Sequence, residues 1–92
     1  MKVKVKFYGR FRKLFGSEEK EIEAESGTTA RSLVERLCVS QECRDNLFDE
    51  QGQTRRCVET LKKGKEKVQF ADDEHVKLED GDVVSIFPAW GI

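Results

Sequence analysis

The sequence predicts a two-layer α+β domain: a mixed sheet of four to five strands packed on one main helix. Three stretches carry that expectation. Residues 2–8 alternate strictly, with Val3, Val5 and Phe7 on one side and Lys2, Lys4, Lys6 and Tyr8 on the other. That is a half-buried strand with one wet face. Ala30, Leu33, Val34, Leu37 and Cys38 fall at i, i+3, i+4, i+7 and i+8, a single apolar helical stripe. Val83-Val84-Ser85-Ile86-Phe87 is a β-branched apolar run, closed by Pro88, which has no N–H to continue a ladder.

The elements follow in order. Residues 9–16, GRFRKLFG, form a short basic connection. Phe11 with Leu14 or Phe15 can share a face of one helical turn and plug the core. The same interleaving of Arg10, Arg12 and Lys13 with Phe11 and Phe15 also suits stacking on single-stranded RNA, a weaker signal in so short a stretch. Residues 20–25, KEIEAE, read as a second alternating strand with Ile22 and Ala24 inward, pairing with the first as a hairpin. Ser26-Gly27-Thr28-Thr29 opens the helix, with Thr28 or Thr29 as its cap. Residues 39–52 read as a short helix or turn and then a loop, holding Cys43, Leu47 and Phe48.

Residues 55–62 read as a third strand whose inward face is ambiguous: Cys57 and Leu61 compete with Val58 and Thr60. It ends in the turn Lys63-Gly64-Lys65. Val68-Gln69-Phe70 fits a short edge strand, and residues 71–75 a charged loop, with Val76 and Leu78 as apolar anchors. Glu79-Asp80-Gly81-Asp82 is a tight turn into the last strand. The first and last strands are the most apolar, so they belong together at the centre. They run parallel, with hairpin and helix as the crossover. If Val84 and Ile86 point inward, Phe87 points out beside Tyr8. The two then form an exposed aromatic patch of the kind that marks a protein partner.

Composition narrows the function classes. The 92 residues make one domain, 38% charged and 37% hydrophobic, with a net charge of −1 that offers nothing to nucleic acid. No long apolar segment or signal-peptide pattern is visible, which places the chain in the cytoplasm and off the membrane. Cys38, Cys43 and Cys57 make an odd set, which argues for free thiols in a reducing compartment. No C-x-x-C spacing accompanies the single histidine, His75, so no metal site is expected. There is no Ser-His-Asp set and no phosphate-binding glycine loop. A cysteine nucleophile working with His75 stays open beside the plainer reading of buried or surface cysteines.

Order and spacing of three motifs point further. VKFYGRFRKLFG, GTTARSLVERL and LEDGDVVSIFP resemble the opening, the helix start and the close of the small subunit of molybdopterin synthase. The chain is thus similar, over essentially its whole length, to the MoaD/ThiS sulfur-carrier family. The resemblance implies a ubiquitin-like β-grasp fold over residues 1–88 and a flexible C-terminal tail over 89–92. It implies that an ubiquitin-activating-like adenylating enzyme uses ATP to activate the tail carboxylate, which becomes a thiocarboxylate. The tail then enters the large subunit of molybdopterin synthase, in molybdopterin or tungstopterin biosynthesis. Such a chain binds no cofactor and is a protein co-substrate and small subunit, not a stand-alone enzyme. Gly91 and Ile92 would be the carrier end; Tyr8, Phe87, Pro88 and Trp90 would meet the partners.

The tail reads Trp90-Gly91-Ile92 where the family has Gly-Gly, and is one residue shorter after Phe87-Pro88. A glycine tail is thin enough to thread a narrow channel. Three routes stay open: a wider channel that accepts Ile92, removal of Ile92, or a relative that has exchanged the activity. The competing functions are a ubiquitin-like modifier conjugated through the same tail, and a non-covalent binding module using the Tyr8/Phe87 face.

Overall fold

The computed structural model describes residues 1–48, 50–51, 58–62, 66–69 and 75–87. These build five strands in one sheet, in the order β2-β1-β5-β3-β4. The strands are β1 (Lys2–Phe7), β2 (Glu19–Glu23), β3 (Val58–Lys62), β4 (Glu66–Gln69) and β5 (Val83–Ile86). Three helices interrupt them: α1 (Arg10–Phe15), α2 (Ala30–Leu37) and α3 (Gln41–Leu47). The β1–β5 pair is parallel and the other three pairs are antiparallel. The expected central pair of first and last strands is therefore present, with Phe7 in register with Ile86.

Alternation decides the two faces. Val3, Val5, Phe7, Val84 and Ile86 are buried and meet Ala30, Leu33 and Val34 of α2 in one core cluster. On the outer face Lys4 and Lys6 stand opposite Glu21 and Glu19 of β2. The lysine row thus has glutamate neighbours, the opposite-charge pairing that suits a solvated sheet face. The helix cap is Thr29. Its hydroxyl accepts from Ser32 N–H, and the Ser32 hydroxyl accepts from Thr29 N–H in return.

Four expectations are refined or corrected. The GRFRKLFG connection is a six-residue helix, α1, closed by Gly16 in the left-handed region. Its Phe11 is fully buried, and Phe15 stacks on Phe7 with ring centroids 4.3 Å apart. Both aromatics belong to the core, so the RNA-stacking reading fails. The inward face of β3 is Val58 and Thr60, because pairing with β5 sets Thr60 beside the inward Val84. The free-thiol expectation fails for Cys38 and Cys43, which form a disulfide with Cα atoms 5.3 Å apart. The corner between α2 and α3 holds only Cys38, Val39 and Ser40, which swings Cys43 back over the end of α2. With both sulfurs bonded, neither is a nucleophile for His75. Cys57, the Lys63-Gly64-Lys65 turn, Phe70 and most of the charged loop lie outside the described residues.

The two ends of the sheet are built differently. At the start of β5, Asp82 is fully buried. Its Oδ2 accepts from Glu79 N–H at 2.8 Å and from Lys62 Nζ, which also reaches Lys77 O at 2.6 Å. Gly81, at φ 88°, makes the turn, and its N–H bonds Lys2 O at 2.9 Å. This closed, polar end holds β5 to β1 and β3. The other end, where β1 and β5 finish, leads to the tail.

Candidate functional site

The site grows from the parallel register. Phe7 and Ile86 are the last paired residues of β1 and β5. Tyr8 N–H then donates to Ile86 O at 2.9 Å, so Tyr8 and Phe87 leave the sheet side by side at the same end. Neighbours on strands point to opposite faces. Since Phe7 and Ile86 point into the core, Tyr8 and Phe87 belong to the face away from α2. Tyr8 is exposed at 39% and Phe87 is half-buried. Tyr8 is thus open to solvent, whereas Phe87 is more covered than the exposed pair expected from the alternation.

Tyr8 is fixed from behind. Gly9, at φ 56° and ψ −133°, turns the chain sharply into α1. α1 is then clamped by Phe11 and by the Phe15–Phe7 stack. Arg12, four residues beyond Tyr8, donates from Nε to Phe7 O at 3.2 Å. Its guanidinium carbon lies 6.0 Å from the centroid of the Tyr8 ring, the outer reach of a cation–π contact. The short register of that turn is the signal that could have added Arg12 to the aromatic patch. The outer face continues inward along β5 and β3, where Val83 stands opposite Leu61, both half-buried. Ser85, flanked by Lys6 and Glu59, separates this pair at the far end of β5 from Tyr8 and Phe87.

Pro88, Trp90, Gly91 and Ile92 lie outside the described residues. Phe87 is the last described residue before them, and it anchors the point from which the chain continues. Among the described residues no cluster of three or more His, Cys, Asp or Glu side chains converges as a metal site. No described helix is long and apolar enough to cross a membrane.

The profile of the ThiS family matches residues 5–91, from β1 through β5 into the tail. No curated protein matches the sequence. Among solved structures, a Pyrococcus furiosus protein assigned as subunit 1 of a molybdopterin converting factor is 34% identical, with 96% of this chain and 97% of that one covered, at a TM-score of 0.64. SAMP1 from Haloferax volcanii is 14% identical over 100% and 99% of the two chains, at a TM-score of 0.75. Urm1 from Sulfolobus solfataricus is 22% identical over 92% and 97%, at a TM-score of 0.57. The last two likenesses concern the fold alone.

Proposed function

The chain belongs to the ThiS family, and on that premise we propose that it is the MoaD-like sulfur carrier of molybdopterin or tungstopterin biosynthesis. The observation that carries this reading is the span of the family match. It runs through β5 to residue 91, so it includes the segment in which such a carrier holds its sulfur. The 34% identity to a molybdopterin converting factor subunit supports the molybdopterin branch.

In this reading the domain positions and the tail reacts. A carboxylate oxygen of the tail attacks the α-phosphate of ATP on the adenylating enzyme, releasing pyrophosphate. Sulfide then attacks the acyl carbon, forming the C–S bond as the bond to AMP breaks, and leaves a thiocarboxylate. The carrier contributes orientation: a rigid β1–β5 end, gripped by Arg12 and α1, from which the tail extends toward the nucleotide. Holding the acyl carbon in reach turns a bimolecular encounter into a positioned one. Tyr8 and Phe87 dock the adenylating enzyme and then the large synthase subunit, with Pro88 and Trp90 entering their channel. The acyl end is Ile92, or Gly91 once Ile92 is removed. ATP is the activating enzyme's substrate, and the cytoplasm supplies it; we place the protein there.

A second reading is a protein modifier joined through the same carboxylate to lysines; one structural relative carries the name small archaeal modifier protein 1. The test is a tail truncation. Deleting Gly91 and Ile92 removes activity in both covalent readings, whereas a non-covalent binding module keeps its function. Lysine-linked adducts in cells separate the modifier from the carrier.

A further inference from the structure

α2 and α3 are joined by more than their corner. Cys38 is the C-cap of α2, and Cys43 lies in the first turn of α3 behind its Ser40 cap. The bond between them closes a sequence separation of only five residues. A link that short constrains the unfolded chain modestly, so its weight falls on the local geometry of α3. Both cysteines are nearly covered, at 4% and 3% exposure, under a corner whose Val39 is 91% exposed. α3 is otherwise held by the Ser40 hydroxyl on Cys43 N–H, by buried Leu47, and by Phe48. The Phe48 ring lies 4.7 Å from the Arg31 guanidinium carbon and 5.4 Å from that of Arg44. A seven-residue helix does not persist alone in water. α3 also forms one wall, Glu42 and Asn46, of a cleft of about 400 Å³ whose other wall is Arg10, Lys13 and Leu14 of α1.

We propose that Cys38 and Cys43 are a redox-modified pair, a two-electron dithiol–disulfide couple that sets how firmly α3 and its wall of the cleft are held. The reductant is a dithiol. One thiolate attacks a sulfur of the bond and forms a mixed disulfide; its second thiol resolves this. The reductant leaves as a disulfide, and Cys38 and Cys43 each gain a proton. Because the bond is covered, the first turn of α3 lifts before a thiolate reaches it. Opening therefore permits reduction, and reduction favours opening. Neither cysteine lies on a strand, and the strands are held by their own ladders, although both cysteines share the core cluster with them.

Non-reducing peptide mapping of the oxidised protein comes first. The expected bridge is Cys38–Cys43; a bridge through Cys57, or three free thiols, overturns the proposal. Amide hydrogen exchange with and without dithiothreitol then reads the consequence. The expected result is about tenfold or greater loss of protection in α3, with β1 and β5 unchanged, reversed by re-oxidation. Equal protection of α3 in both states overturns it, as does loss of protection throughout the sheet. The Cys57→Ser variant removes the third thiol and is expected to keep the pattern. Oxidised Cys43→Ser is expected to exchange like the reduced parent.

Discussion

Lys62 reaches inward from β3 to Asp82, Glu79 and the Lys77 carbonyl. Desolvation pulls its pKa down, but hydrogen bonds from its ammonium to Asp82 and Glu79, and their charges, outweigh that and raise it above the ordinary 10.5. With the folded value above the unfolded one, the stabilisation is complete below pH 10.5 and disappears as pH rises through the folded value. Urea midpoints of the parent should hold on this account up to that pH and then fall. Lys62→Met leaves Asp82 buried without its cation, so it should lack that alkaline decline relative to the parent and be weaker by roughly 3 kcal/mol at neutral pH. Thr60 presents the opposite case. Its hydroxyl is fully buried and finds no hydrogen-bond partner among the described residues. Thr60→Val removes an unsatisfied group at constant shape, and chemical denaturation should show a gain of about 1 kcal/mol. No sequence pattern announces either residue, because a lysine and a threonine at inward strand positions read as errors of alternation until their neighbours are known.

At the scale of elements, the amphipathic helix and the alternating first strand were legible because each buries one face at a fixed period. The Thr29–Ser32 capping box sets where α2 starts, and Thr29→Ala should cost about 1 kcal/mol in thermal or urea unfolding, against little change for exposed Glu35→Ala. α1 was read as a single turn. Its six residues are too few for a period to emerge, and its helical form rests on tertiary contacts of Phe11 and Phe15. The face of β3 was undecidable for a related reason: Leu61 is more apolar than Thr60, yet pairing with β5 turns Thr60 inward. The disulfide was missed because an odd cysteine count speaks to compartment, whereas bonding is a matter of distance. Only the three-residue corner between α2 and α3 brings Cys38 and Cys43 together.

At the scale of the whole molecule, topology sets the strand end from which the tail continues. A parallel pairing of first and last strands brings Tyr8, near the start of the chain, beside Phe87, where the tail begins. That juxtaposition was readable once the two most apolar strands were set together; the part played by Arg12 was not, because it depends on the turn at Gly9. If the Tyr8/Phe87 face docks the activating enzyme, Tyr8→Ala and Phe87→Ala should each weaken capture by about tenfold or more in a direct binding assay. Their circular dichroism should match the parent, since both residues lie outside the core cluster. The central claim is that the tail is a sulfur-carrying acyl end, and mass tests it most directly. The protein is incubated with ATP, a sulfur donor and its cognate adenylating enzyme, and its intact mass and C-terminal peptide are then read. The account predicts exchange of one terminal oxygen for sulfur, at Ile92 or at Gly91 after loss of Ile92. A chain that comes through with its carboxylate unchanged would contradict it.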